Sequence, residues 1–199
     1  MQSITKKEKE QKLQKLKEEC NKCKRCSLGA TRNNIVFSDG NPDAKILLIG
    51  EAPGADEDKT GIPFVGRAGK LLTKLIEDSN MSRKDDFYIC NTVKCRPPEN
   101  RVPTDEEKQV CEKYLMEQIN IVNPKVVVLC GATSAKSFLG SKLKISQIRG
   151  QWFKILNNID ATVIFHPSYL LRNHSEEPNS PRWLTKEDLK KIKTIALPK

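Results

Sequence analysis

KILLIGEAPG, residues 45–54, decides the fold. Ile46, Leu47, Leu48 and Ile49 form an unbroken apolar run that stops at Gly50. A strand sends alternate side chains to opposite faces, so a run with no polar alternation predicts a strand buried on both faces. Such strands belong to parallel sheets covered by helices on both sides. The polar, glycine-bearing segment that follows, EAPGADEDKTGIPFVG (51–66), reads as a loop at the carboxyl end of that strand.

Outward from this strand the pattern repeats. GRAGKLLTKLIEDS (66–79) carries Leu71, Leu72, Leu75 and Ile76 at helical spacing. FYICNTV (87–93) reads as a second strand, KVVVLC (125–130) as a third and ATVIF (161–165) as a fourth, with Trp152–Leu156 as a further short β segment. Prolines at 97, 98 and 103 exclude regular structure from KCRPPENRVP. Thr104 then opens a helix to about Val122, with Glu107 completing a capping-box pattern. A short helix to Leu139 and a final one over about 185–196 complete the set. The expected architecture is α/β: a three-layer α/β/α sandwich around a central, mainly parallel, four-stranded sheet. Residues 1–19 read as a charged helical extension with few apolar positions, and residues 20–199 as a single domain.

The chain has 199 residues, enough for one sizeable core, and no apolar stretch of the roughly 20 residues needed to span a membrane. The N-terminal stretch is charged and lacks the apolar core of a secretory signal, so a cytoplasmic protein is expected. The net charge of +10 favours polyanions. Six basic residues and no acidic one lie between Gln118 and Ile159, namely Lys125, Lys136, Lys142, Lys144, Arg149 and Lys154. That stretch is either a phosphate-facing surface or a solvated face.

In a parallel sheet, ligands bind beyond the carboxyl ends of the strands. Glu51 follows the first strand, Asn91 ends the second and His166 follows the fourth, so three side chains capable of chemistry should converge on one crevice. The seven cysteines are an odd number with no signal peptide, which argues against a disulfide framework and for metal. Cys23 and Cys26 form a chelating pair; Cys20 and Cys23 are equally spaced and could serve instead. Cys95 lies in the proline-stiffened loop and Cys111 on the helix after it. Four thiolates suit a structural zinc or a [4Fe–4S] cluster, and spacing does not choose between them. Cys90 and Cys130, inside strands, read as core residues.

GEAPGADEDKTGIPFVGRAGKLL (50–72), NTVKCRPPENR (91–101) and HPSYLLR (166–172) together resemble the motifs of the family 4 uracil-DNA glycosylases, in that family's order. NPDAKILLIG (41–50) and the Arg149–Gly150 pair match as well, and the resemblance covers the chain from Cys23 on. It implies a prokaryotic base-excision repair enzyme that releases uracil and leaves an abasic site, without strand cleavage. Its partner would be uracil-containing DNA, single- or double-stranded, and the protein is expected to be a monomer with no membrane association. The resemblance also implies a [4Fe–4S] cluster held by Cys23, Cys26, Cys95 and Cys111, which takes Cys26 over Cys20.

The same resemblance distributes roles around the crevice. Such an enzyme flips its base into a pocket. Uracil offers an acceptor at O4 and a donor at N3, which an oriented amide matches, and Asn91 is the candidate. Phe64 would stack on the base. His166 would donate to O2 as negative charge develops on the leaving uracil. Ala52 stands where the related family 1 enzymes carry an aspartate, so Glu51 is the nearest carboxylate to position the attacking water. Glu51, Ala52 and Pro53 would line the pocket. Glu57 resembles the residue that excludes the thymine methyl group, with helix capping as the alternative; Asp56 and Asp58 read as capping or solvated carboxylates. Leu170 or Leu171 would wedge into the stack and Arg172 contact phosphate, ordinary loop packing being the alternative.

Three other functions share much of this pattern. A relative that captures uracil DNA covalently carries an extra histidine-bearing loop after the second motif, and RPPENRVP (96–103) has no histidine. A non-catalytic metal-containing DNA-binding module has no use for Glu51, Phe64, Asn91 and His166 together. A mismatch glycosylase with wider base choice would keep the same residues.

Overall fold

The computed structural model describes residues 4–198. Along the chain come α1 (Lys6–Asn21), α2 (Leu28–Thr31), β1 (Asp39–Gly40), β2 (Ile46–Gly50), α3 (Ala55–Thr60), α4 (Arg67–Asp78), α5 (Arg83–Asp86) and β3 (Phe87–Asn91). A 3-10 turn over Pro98–Asn100 precedes α6 (Asp105–Val122), β4 (Val126–Cys130), α7 (Ala132–Leu139), α8 (Ile145–Ile148), β5 (Trp152–Ile155), β6 (Ile159–Ile164), α9 (Pro167–Leu170) and α10 (Pro181–Ala196). Among the described residues no helix is long and apolar enough to cross a membrane.

The sheet has six strands in the order β1-β3-β2-β4-β6-β5, not the four expected. The central four are parallel, and both additions are antiparallel edges: β1 on β3 and β5 on β6. β5 is the short β segment expected over 152–156, outside the four core strands, and β1 escaped the sequence pattern. β1 is two residues long, too short to show a period. β5 is an edge strand with only Ile155 buried, so its burial gives no continuous run.

The apolar run of β2 does cover both faces. Leu47 and Ile49 pack with Tyr114, Leu115, Ile119 and Val122 of α6 and Ala135 of α7. Ile46 and Leu48 pack with Leu72, Leu75 and Ile76 of α4 and Leu189 and Ile192 of α10. Two cores on opposite faces make the three layers. The capping box at α6 forms as expected, the Thr104 hydroxyl accepting from the Glu107 amide while the Glu107 carboxylate accepts from the Thr104 amide. The charged N-terminal helix is packed on α6: Leu13 is buried, and the Lys9 ammonium donates to Asp43 Oδ1 at 2.7 Å and to the Val122 carbonyl at 2.8 Å, closing the end of α6. The acid-free stretch 118–159 draws partners from outside itself, since Arg149 pairs with buried Asp188 at 3.0 Å and Lys154 with Asp160 at 2.8 Å.

Candidate active site

The parallel register of β2 on β3 sets Gly50 beside Asn91. A Cβ at residue 50 would lie 2.4 Å from Asn91 Oδ1 and 2.5 Å from Phe64 Cζ, so only glycine admits both side chains at this strand end. On the other side of β2, Gly131 follows β4 at φ +96°, a conformation side chains resist, and a Cβ there would lie 2.9 Å from His166 Cβ. The Phe64 and His166 rings are 5.8 Å apart and tilted by 37°. Asn91 and His166 thus lie at the carboxyl edge of the sheet, where the strand-end pattern put them, with half-buried Glu51 following β2 at the same edge; Phe64 reaches it from the loop before α4.

Asn91 is 2% exposed, and its Oδ1 is a buried acceptor with no hydrogen-bond partner. A buried unpaired polar atom is costly and marks a place where a ligand donor fits. His166 is the N-cap of α9. Its Nδ1 accepts from the Ser168 amide at 3.2 Å, with the Ser168 hydroxyl 2.8 Å away, which leaves the imidazole proton on Nε2. Burial pulls its pKa down to about 4, Glu57 acting to raise it and Arg172 to lower it, so the ring is neutral near pH 7. The Glu51 carboxylate accepts from the Thr133 hydroxyl of α7, and its carbonyl accepts from the Thr92 hydroxyl at 2.5 Å.

Glu57 joins two loops. Its Oε1 accepts from the amides of Val65 and Gly66, each at 2.9 Å, and its Oε2 from the Gly54 amide at 3.1 Å. It therefore pins the loop carrying Pro53 to the loop carrying Phe64. Asp58 is not a solvated carboxylate: it is 1% exposed and accepts from the Asn33 amide at 2.9 Å, tying α3 to the segment after the first cysteines. Leu170 is fully buried in the core under α4 and α10, because α9 turns it inward, and this corrects its assignment as a DNA contact. Leu171 is half-buried, Arg172 is exposed, and Tyr169 is exposed with its ring 5.1 Å from that of Phe165.

Cys23, Cys26, Cys95 and Cys111 line one cavity, together with Cys20, Arg32 and Lys94. Among the described residues no three ligating side chains converge on a single-ion geometry; five thiols line the cavity wall. Arg32 Nη1 donates to Cys95 Sγ at 3.1 Å and the Lys94 amide to Cys111 Sγ at 3.4 Å, donors suited to anionic sulfur. Burial pushes the Cys111 thiol up to about 11 and Cys20 up to about 12, so without a ligand these sulfurs hold their protons. Cys90 and Cys130 are fully buried in β3 and β4. Three segments meet here through a second bond set: buried Glu107 of α6 accepts from Arg101 at 2.7 and 2.8 Å and from the Ser27 hydroxyl at 3.1 Å.

Thr133, Ser168 and Arg83, which holds the Phe64 loop, were not legible as site residues. Ser168 sits two residues from His166, a spacing typical of local side-chain to backbone bonds. The other two come from distant elements and carry no sequence signal.

The sequence model of the uracil DNA glycosylase superfamily matches residues 37–190. The chain is 48% identical over 169 residues to the type-4 uracil-DNA glycosylase of Thermotoga maritima, covering 84% of this chain and 86% of that protein. It is 42% identical over 174 residues to the type-4 enzyme of Sulfurisphaera tokodaii, covering 83% and 76%. The type-5 uracil-DNA glycosylase of Thermus thermophilus is 34% identical over 114 residues, covering 50% and 52%. With its strand-end crevice, three-layer fold and these relatives, the chain belongs to the uracil-DNA glycosylase superfamily, in its type-4 branch.

Proposed function

We propose that the chain takes a uracil nucleotide out of single- or double-stranded DNA into the Asn91–Phe64–His166 crevice and hydrolyses its glycosidic bond, leaving an abasic site. The observation that carries this is the buried, unpartnered Oδ1 of Asn91. Uracil N3–H is a donor for it, and the amide NH2 donates in turn to O4. Phe64 supplies the stacking face. As the C1′–N1 bond breaks, its electron pair passes to uracil and spreads onto O2, where His166 Nε2–H donates. A neutral imidazole serves, because it stabilises the anion without having to lose a charge of its own. Water adds to C1′ and yields a proton to Glu51, whose carboxylate Thr133 orients. Ala52 and Pro53 line the pocket. Glu57 shapes it by joining its two loops, which supports a structural role as much as contact with the base. Arg172 contacts phosphate and Leu171 enters the stack, a reading supported by the exposure of Arg172 and the partial exposure of Leu171.

The four-thiol cavity and its N–H donors fit a [4Fe–4S] cluster held by Cys23, Cys26, Cys95 and Cys111. When bound, the cluster supplies a cross-link between the N-terminal segment, the 91–101 loop and α6. The catalytic domain begins near residue 20, with the preceding helix as a brace, and the protein acts as a cytoplasmic monomer. The test is alkaline cleavage of labelled oligonucleotides carrying uracil, thymine or hypoxanthine at one position. Strand breaks at uracil in both single- and double-stranded DNA are expected; none at uracil refutes the reading, and equal breaks at thymine favour a mismatch enzyme.

A further inference from the structure

Lys94 touches both the cysteine cavity and the strand end that carries Asn91. It is 0% exposed, which is rare for lysine, and a buried ammonium is costly unless something compensates its charge. Among the described residues no carboxylate forms an ion pair with it. Its Nζ donates to the backbone carbonyl of Asn91 at 2.7 Å. The same residue lines the cavity of Cys23, Cys26, Cys95 and Cys111, and its amide donates to Cys111 Sγ at 3.4 Å. Its carbonyl accepts from the Val36 amide at 2.9 Å, so the backbone on which the side chain stands is also pinned. Arg25 and Arg32, the other cations of the cavity wall, are solvated or half-solvated.

We propose that Lys94 is a positioning residue that joins the two sites: its ammonium is the buried counter-charge of the thiolate-held cluster, and through the Asn91 carbonyl it fixes the amide that reads uracil. This rests on the reading of the cysteine cavity as an iron–sulfur site and of Asn91 as the uracil reader. Four thiolates outweigh the positive charge of an oxidised four-iron core, so the cavity is anionic when filled. That anion is the compensation Lys94 lacks among the carboxylates. The bond to the backbone carbonyl then carries the consequence to Asn91, whose side-chain Oδ1 has no hydrogen bond of its own to hold it in place. Removing the ammonium therefore disturbs both ends at once, whereas a lysine that merely filled space would disturb neither specifically.

The experiment compares holoprotein of wild type, Lys94→Met and Lys94→Arg, all purified without air. Methionine keeps length and apolar bulk but removes charge and hydrogen bond; arginine keeps the charge. Three quantities are read: the cluster midpoint potential by dithionite titration, iron retention under chelator, and single-turnover uracil release beside affinity for abasic DNA. Lys94→Met should shift the potential negative, because reduction then adds an electron without a nearby cation. It should lose iron several-fold faster and release uracil roughly 10-fold more slowly, on the scale of a disturbed outer-sphere contact, with abasic-DNA affinity within a few-fold. Lys94→Arg should restore the potential and most of the iron retention. Lys94→Met with unchanged potential and uracil release overturns the proposal. So does equal loss of iron in both variants, insolubility included, since shape and not charge would then be what the site needs. Wild type that holds no iron or releases no uracil would instead refute the reading on which the proposal stands.

Discussion

Arg83 Nη1 donates to the carbonyl oxygen of Phe64 at 2.8 Å, and Phe64 is held at φ +53°. A bulky residue in the left-handed region costs of order 1–3 kcal/mol and persists only where its surroundings impose it. Here Arg83 Nη2 also binds the Pro63 carbonyl at 2.7 Å, Asp39 orients the guanidinium at 2.9 Å, and Glu57 holds the amides of Val65 and Gly66. Arg83→Met should let Phe64 relax. Single-turnover uracil release should fall about 10-fold, and stability by about 1–3 kcal/mol for the carbonyls left unpaired. Rates equal to wild type would show that the Phe64 ring does not need this fixed position.

His166 yields a prediction in pH. Its folded pKa, about 4, lies below the ordinary 6.5 because the ring is buried. Between those values the unfolded chain binds the proton and the native protein does not, so stability falls as pH drops from 6.5 towards 4. The single-turnover rate should show no inflection near pH 6.5. An inflection there that disappears in His166→Ala would mean that the ring titrates as an exposed imidazole.

The same side chain tests the chemistry. His166→Ala should slow uracil release by about 10²–10³, the usual cost of one transition-state donor, with abasic-DNA binding within a few-fold. A drop in binding equal to the drop in rate would place His166 in DNA recognition rather than at O2.

Asn91 should govern base choice. Asn91→Ala removes the reading amide and slows uracil release, whereas Asn91→Asp presents an acceptor to the exocyclic amine of cytosine. Cytosine release by Asn91→Asp, assayed on a labelled duplex with cytosine at the target position, is the expected outcome. Unchanged uracil release by Asn91→Ala would move the pocket elsewhere.

Glu107 links pH to the cysteine region. Hydrogen bonds from Arg101, then Thr104 and Ser27, hold its carboxyl down at about 2, against the opposing effect of burial. A depressed carboxylate contributes stability that is complete above its unfolded value of 4.5 and is lost as pH falls towards 2. Thermal unfolding of wild type should therefore steepen with acid below pH 4.5, and Glu107→Gln should flatten that limb while lowering stability at pH 7. Cys95→Ala should lose the broad absorbance near ~400 nm expected of thiolate-bound iron, and Cys130→Ala should keep it.

What the sequence by itself determined here is whatever short-range pattern encodes. The unbroken run of Ile46–Ile49 specified a strand covered on both faces, and Thr104 with Glu107 specified where α6 starts, because burial and capping act within a few residues. The motifs also marked Glu51, Phe64, Asn91 and His166 as candidates. Of the two edge strands, β5 was legible only as a short β segment, because it is mostly uncovered, and β1 was not legible, because it is too short for a period. Tertiary structure alone decided which groups meet: the register that sets Gly50 against Asn91, the Thr133 bond to Glu51 across 82 residues, and the inward turn of Leu170. It also decided that the lysine between Asn91 and Cys95 is fully buried. A charged side chain in a loop is ordinarily solvated, and only the packing of β3, α6 and the N-terminal segment around it removes the water.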